Sequence, residues 1–148
     1  VSALSDVEAL ALRMWNADPL PSVEADRLRR EHLASIADAM MQGQTYGQAS
    51  GGALGFLSQQ DGLQVLRSIE HDLDAQVAIV SRSFDDYLAR GEVPAPHYAM
   101  RVAILLSKNG HKRHEMAFLA AWCKHFGSVG GATYEKLAAR ARKLGMTR

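Results

Sequence analysis

Leu63, Leu66, Ile69, Leu73, Val77, Val80, Phe84 and Tyr87 succeed one another at intervals of three or four residues. That spacing lines apolar side chains along one face of an α-helix. Asp61 has the chemistry of a helix cap, and Gly91 stands where a left-handed residue ends a helix. The pattern predicts one amphipathic helix over about 62–90, roughly 40 Å long at 1.5 Å per residue. A seam of that length needs apolar partners along all of it, as the spine of a bundle or half of a dimer contact.

The flanking segments also read as helices. Ser5 and Glu8 have capping-box spacing, and Leu4, Val7, Leu10, Ala11 and Met14 recur at helical intervals until Pro19 and Pro21. A second helix is expected from Ser22 to about Met41. Its apolar stripe is Leu28, His32, Ile36 and Met40 with Leu33 beside it, and Arg27, Arg30, Glu31 and Asp38 lie opposite. Pro96 can open a helix that runs to Asn109-Gly110 with Tyr98, Val102, Leu105 and Leu106 inward. Residues 111–126 are apolar almost all round and belong in the centre of the fold. A last helix turns Tyr134, Leu137, Ala138, Ala141 and Leu144 inward. The pair 96–109 and 111–126 resembles one tetratricopeptide-type hairpin. With a single such pair and its further consensus positions unmatched, the resemblance implies local packing geometry and no family assignment.

Residues 42–55, QGQTYGQASGGALG, interrupt this pattern. Interior glycines cost a helix about 1 kcal/mol each relative to alanine, so a flexible loop is expected. It lacks the lysine of a Walker-type phosphate loop. No alternating strand-like run occurs. The class is therefore all-α: a compact helical bundle of five or six helices, one domain over residues 1–148.

Composition bounds the function. With 47% hydrophobic and 22% charged residues the chain is ordinary globular material. One cysteine cannot close an internal disulfide, no apolar run approaches the roughly 18 residues of a spanning helix, and the opening VSALSDVEAL lacks the features of a secretory signal. A cytoplasmic protein without a membrane partner is expected. The net charge of +1 hides an asymmetry. Residues 1–74 carry 5 basic and 11 acidic side chains, a net of −6, while residues 75–148 carry 12 and 5, a net of +7. Residues 101–148 alone hold ten basic groups against Glu115 and Glu135. Such a bias points to an anionic partner for the C-terminal half, or to pairing of the two halves within one fold or between copies.

Two clusters carry the basic charge. Lys108, Lys112 and Arg113, with His111 and His114, crowd the expected start of a helix, where free amides and the dipole already favour an anion. Lys136, Arg140 and Lys143 form a stripe on the last helix, with Arg142 adjacent. These seven cations are the expected contacts to phosphate. No recognition helix is identified, so contact with nucleic acid is expected at the backbone and not at base edges. Catalytic signatures are absent: Cys123 and His125 are two residues apart on a helix and point about 200° apart. No cofactor is implied, and no metal site is assigned, although His111, His114 and Glu115 share one helix start. The reading is a non-enzymatic helical subunit or adaptor that engages nucleic-acid backbone or an acidic protein surface. The alternative is a self-assembly module whose acidic and basic halves pair between copies, and a third is a metal-binding bundle or enzyme.

Overall fold

The computed structural model describes residues 3–50 and 62–145, and every element among them is helical. In chain order these are α1 (Ala3–Asn16), α2 (Ser22–Met41), α3 (Tyr46–Ser50), α4 (Gly62–Ser68), α5 (Leu73–Arg90), α6 (Pro96–Lys108), α7 (Lys112–Phe126) and α8 (Ala132–Lys143). Seven helices and the single five-residue turn α3 thus replace the five or six expected, with the all-α class as read from the sequence. No helix among the described residues is long and apolar enough to cross a membrane.

The predicted helix over 62–90 is two helices, α4 and α5. Residues 69–72 form a turn between them, and the cap of α5 is Asp72, whose Oδ1 accepts a bond from the Ala75 amide at 3.2 Å. Asp61, the expected cap, lies outside the described residues. Carbonyls released by the break find other donors. Gln76 Nε2 donates to the Ile69 oxygen at 2.9 Å, and the Arg101 guanidinium donates to the Glu70 oxygen at 2.9 and 3.1 Å. The apolar spacing hides the break because Leu66 and Leu73 on either side both pack against the core, so the period continues across a turn. Leu63, part of the same stripe by spacing, is 69% exposed. Glu70, His71, Asp72 and Asp74 are exposed as expected for a solvated cluster, but Glu70, His71 and Asp72 lie in or cap the turn and do not form a helix face.

Two N-terminal details also differ. α1 is already helical at Ala3, so Ser5 is not its cap, and the Glu8 carboxylate bonds His114 instead of closing a capping box. The capping box is at Thr45 and Gln48. The Gln48 amide donates to Thr45 Oγ1 and the Thr45 amide to Gln48 Oε1, which nucleates α3 inside the stretch expected to be loop. Residues 51–55 of that stretch lie outside the described residues.

The core is built from α1, α5, α6, α7 and α8. Val7, Leu10 and Met14 of α1, Phe84 of α5, Val102 and Leu106 of α6, Phe118 and Trp122 of α7, and Leu137 of α8 are all buried in it. α7 is the central helix, packed against α1, α6 and α8. α1 runs alongside it in the same direction: Glu8 meets His114, and further along both helices the Met14 oxygen accepts from His125 Nε2 at 2.6 Å. The α5–α6 connection fixes the remaining angles. Gly91 ends α5 at φ 67, and a Cβ there would lie 2.2 Å from the Ala25 oxygen of α2. The Tyr134 hydroxyl of α8 donates to the Pro94 oxygen, and burial pushes that phenol up to about 12. α2 stands at the edge of the fold, resting on α5 and on the α3 turn. Its buried residues are Ala25 and Ile36, whereas Leu33 and Met40, placed on or beside the inner stripe by the sequence, face solvent.

Candidate anion-binding surface

The short Asn109-Gly110 link folds α7 back against α6. Asn109 Nδ2 donates to the Leu105 oxygen at 2.8 Å, closing the C-terminus of α6 and leaving Lys108 exposed on its last turn. His111 occupies the N-cap of α7 without a side-chain cap bond, and the first intrahelical bond runs from the Glu115 amide to the His111 oxygen at 3.0 Å. The amides of Lys112, Arg113 and His114 therefore have no acceptor within the helix. Lys112 and Arg113 are exposed beside them.

Glu115 is the residue that organises this corner. It is 3% exposed, yet its Oε2 accepts a bond from Arg140 Nε at 2.5 Å. A carboxylate removed from water must be paired, and a charged guanidinium donor is its strongest partner. The bond ties the first turn of α7 to the last turn of α8. Lys112 lies three residues outward of Glu115, and Lys143 three residues outward of Arg140. The α6–α7 corner and the C-terminus of α8 thus form one end of the molecule, with Lys108, Lys112, Arg113, Arg142 and Lys143 at that end. Lys136 is about two turns further back along α8 than Lys143.

The seven predicted phosphate contacts divide accordingly. Arg140 is committed to Glu115 and is only partly accessible. Lys108, Lys112, Arg113, Lys136, Arg142 and Lys143 are exposed and form no ion pair among the described residues. Among the described residues, no acid of residues 1–74 forms an ion pair with these six. Across the two halves, Arg13 binds Asp85 at 2.5 Å and His114 Nε2 meets Glu8 Oε1 at 2.7 Å. Other pairs are local: Arg27 with Glu24 and Glu31, Arg29 with Asp26, and Arg82 and Arg90 with Asp86. Glu115 and Glu8 are the residues that sequence reasoning misses here. Their partners are 25 and 106 residues away, beyond the reach of any local spacing.

Glu115 accepts the Arg140 bond, and no group of three or more potential metal ligands occurs among the described residues. Burial pushes the Cys123 thiol up, away from nucleophilic character. His125 is held near neutral form by burial, and its free ring nitrogen Nδ1 is enclosed without a partner. A groove of about 310 Å³ between α1 and α5, lined by Asp6, Leu10, Arg13, Asp74 and Val77, contains none of the seven cations. Within it Arg13 is already bound to Asp85 and Ser81. No protein-family model matches the chain, and comparisons with curated proteins and with solved structures likewise find no match.

Proposed function

We propose that the chain is a non-enzymatic helical subunit that engages an anionic partner, foremost nucleic-acid backbone, through the basic end formed by the α6–α7 corner and α8. One observation carries this reading. Six exposed cations form no ion pair among the described residues, although the fold brings acidic and basic halves together elsewhere. Crowding like charges at a helix N-terminus is unfavourable, and of the anions already there Glu115 is bound to Arg140 and Glu8 to His114, so a further anion would relieve Lys112 and Arg113. Phosphate contact at such a surface would fix position without reading sequence. A single, half-buried cysteine suits work in the reducing cytoplasm.

The test is a binding assay with labelled single-stranded and duplex oligonucleotides of mixed sequence, at low salt. The variant Lys112→Glu/Arg113→Glu/Lys143→Glu should lose affinity for all of them alike, with an unchanged circular-dichroism spectrum. Equal binding by wild type and variant would refute the reading. Salt-sensitive self-association without nucleic acid, abolished by the same variant, would support pairing of acidic and basic surfaces between copies instead.

A further inference from the structure

Building on the function proposed above, we infer that the basic end continues along α7 into a single-strand site, where an unpaired base stacks on the exposed ring of Trp15. Trp15 is 54% exposed and Leu12, one turn before it, 62%, although α1 buries Val7, Leu10, Ala11 and Met14. At 100° per residue, Glu8, Leu12 and Trp15 fall within about 60° of one another. This flank of α1 lies beside α7, where Glu8 meets His114 and the Trp15 oxygen accepts from Lys124 Nζ at 2.5 Å. α7 turns a matching stripe outward: Arg113, Ala117, Ala120 and Lys124 also share an arc of about 60°. Ala120 is half-buried and the other three are exposed. Leu12 and Trp15 thus stand beside a strip with alanines in its middle, an arginine at one end and a lysine at the other. Arg113 and Lys124 are roughly 16 Å apart along the axis.

Ring and charge together select the occupant. Lys124 Nζ lies 5.3 Å from the centroid of the Trp15 ring, and its bond to the Trp15 oxygen holds it there. A cation covers one face of a ring, and more than half of Trp15 stays open with Lys124 in place. Arg113 and Lys124 form no ion pair among the described residues. Glu8 is bonded to His114, and the next acid in the chain, Asp18, stands beyond the end of α1. An apolar protein segment would cover Leu12 and Trp15 but leave both cations unanswered, whereas a phosphate chain answers both. Cations that track a backbone beside an aromatic platform are what binds single strands. A duplex keeps its bases stacked inside and offers none to Trp15, so this strip separates two forms that phosphate contact alone treats alike.

Tryptophan fluorescence of the full chain, titrated at low salt with an oligothymidylate strand and with a duplex of equal length, tests this. Trp122, the other tryptophan, is 1% exposed and sealed in the core, so Trp15 is the reporter. The single strand should quench wild-type emission and the duplex should not. Trp15→Ala should lose the quenching and weaken single-strand binding about tenfold, with duplex affinity and the circular-dichroism spectrum unchanged. Trp15→Phe should keep most of the affinity and Trp15→Leu should not, because leucine supplies apolar area without a stacking face. Wild-type single-strand affinity in Trp15→Ala, an equal loss for strand and duplex, or full rescue by Trp15→Leu would each overturn the inference and leave the basic end as a phosphate surface. Trp15-dependent self-association without nucleic acid would overturn it as well, giving the strip to a second copy. Binding of neither form by the wild type would instead refute the proposed function, and the inference with it.

Discussion

Arg140 Nε donates to Glu115 Oε2 at 2.5 Å, joining a carboxylate that is 4% exposed to a guanidinium that is 31% exposed. The asymmetry of burial makes the two halves of this pair unequal. Removing Arg140 strands an anion in the interior, whereas removing Glu115 leaves a cation that can turn toward water. Arg140→Leu should cost about 3 kcal/mol or more, and Glu115→Gln about 1 kcal/mol. Urea denaturation of both variants checks the order. Equal losses would show that Glu115 is hydrated and not committed to Arg140.

Gly91→Ala should be among the more damaging small substitutions. The left-handed conformation at φ 67 costs an alanine about 1–2 kcal/mol, and the added methyl meets the Ala25 backbone at 2.2 Å, which no rotamer relieves. Arg29 Nη1 also donates to the Gly91 oxygen at 2.9 Å, so a shift of this turn disturbs the seat of α2 as well. Thermal melting should fall by several degrees, and a melting temperature indistinguishable from wild type would contradict the packing described.

Acid should weaken the fold through His125. Its Nε2–H donates to the Met14 oxygen, its ring neighbours are Phe84, Tyr87 and Phe126, and burial lowers its folded pKa below 6.5. The neutral form is the folded form, so the contribution is complete above the unfolded pKa and is lost as pH falls through 6.5 toward the folded value. The slope from this residue cannot exceed about 1.4 kcal/mol per pH unit. Denaturation at about pH 7.5, 6.5 and 5.5 should show His125→Gln less stable than wild type at the highest pH, with the gap narrowing in acid. A gap that widens would reverse the assigned protonation state.

Much of this architecture is written in local spacing. Ser22–Met41, Pro96–Lys108 and Lys112–Phe126 follow from prolines, glycine-bearing stops and apolar periodicity, and Tyr98, Val102, Leu105 and Leu106 are buried as that periodicity requires. The break at residues 69–72 is not, because the period of a helix persists when a turn returns the chain to the same core. Asp72 is the available signal, as an N-cap residue directly after the polar pair Glu70-His71. Leu33 and Met40 face solvent although spacing puts them on or beside the inner stripe, because α2 stands at the edge of the fold and only Ala25 and Ile36 are fully covered, and local spacing does not say how wide a strip the neighbouring helices cover. At the basic end, the cations can be named from the sequence, but Arg140 cannot be separated from the others. Its partner lies on another helix, and only tertiary packing selects which basic residue meets a buried acid.

The central claim is that the exposed cations at the α6–α7 corner and on α8 meet phosphate. It is tested most directly by measuring oligonucleotide affinity as a function of salt. If all six exposed cations contact phosphate, the logarithm of the binding constant should fall against the logarithm of salt with a slope of about −5. Between about 50 and 200 mM that is roughly a thousandfold loss. Each single reversal at Lys112, Arg113 or Lys143 should reduce the slope by about one. Absence of binding at about 50 mM salt, or binding whose strength is independent of salt, would contradict the account.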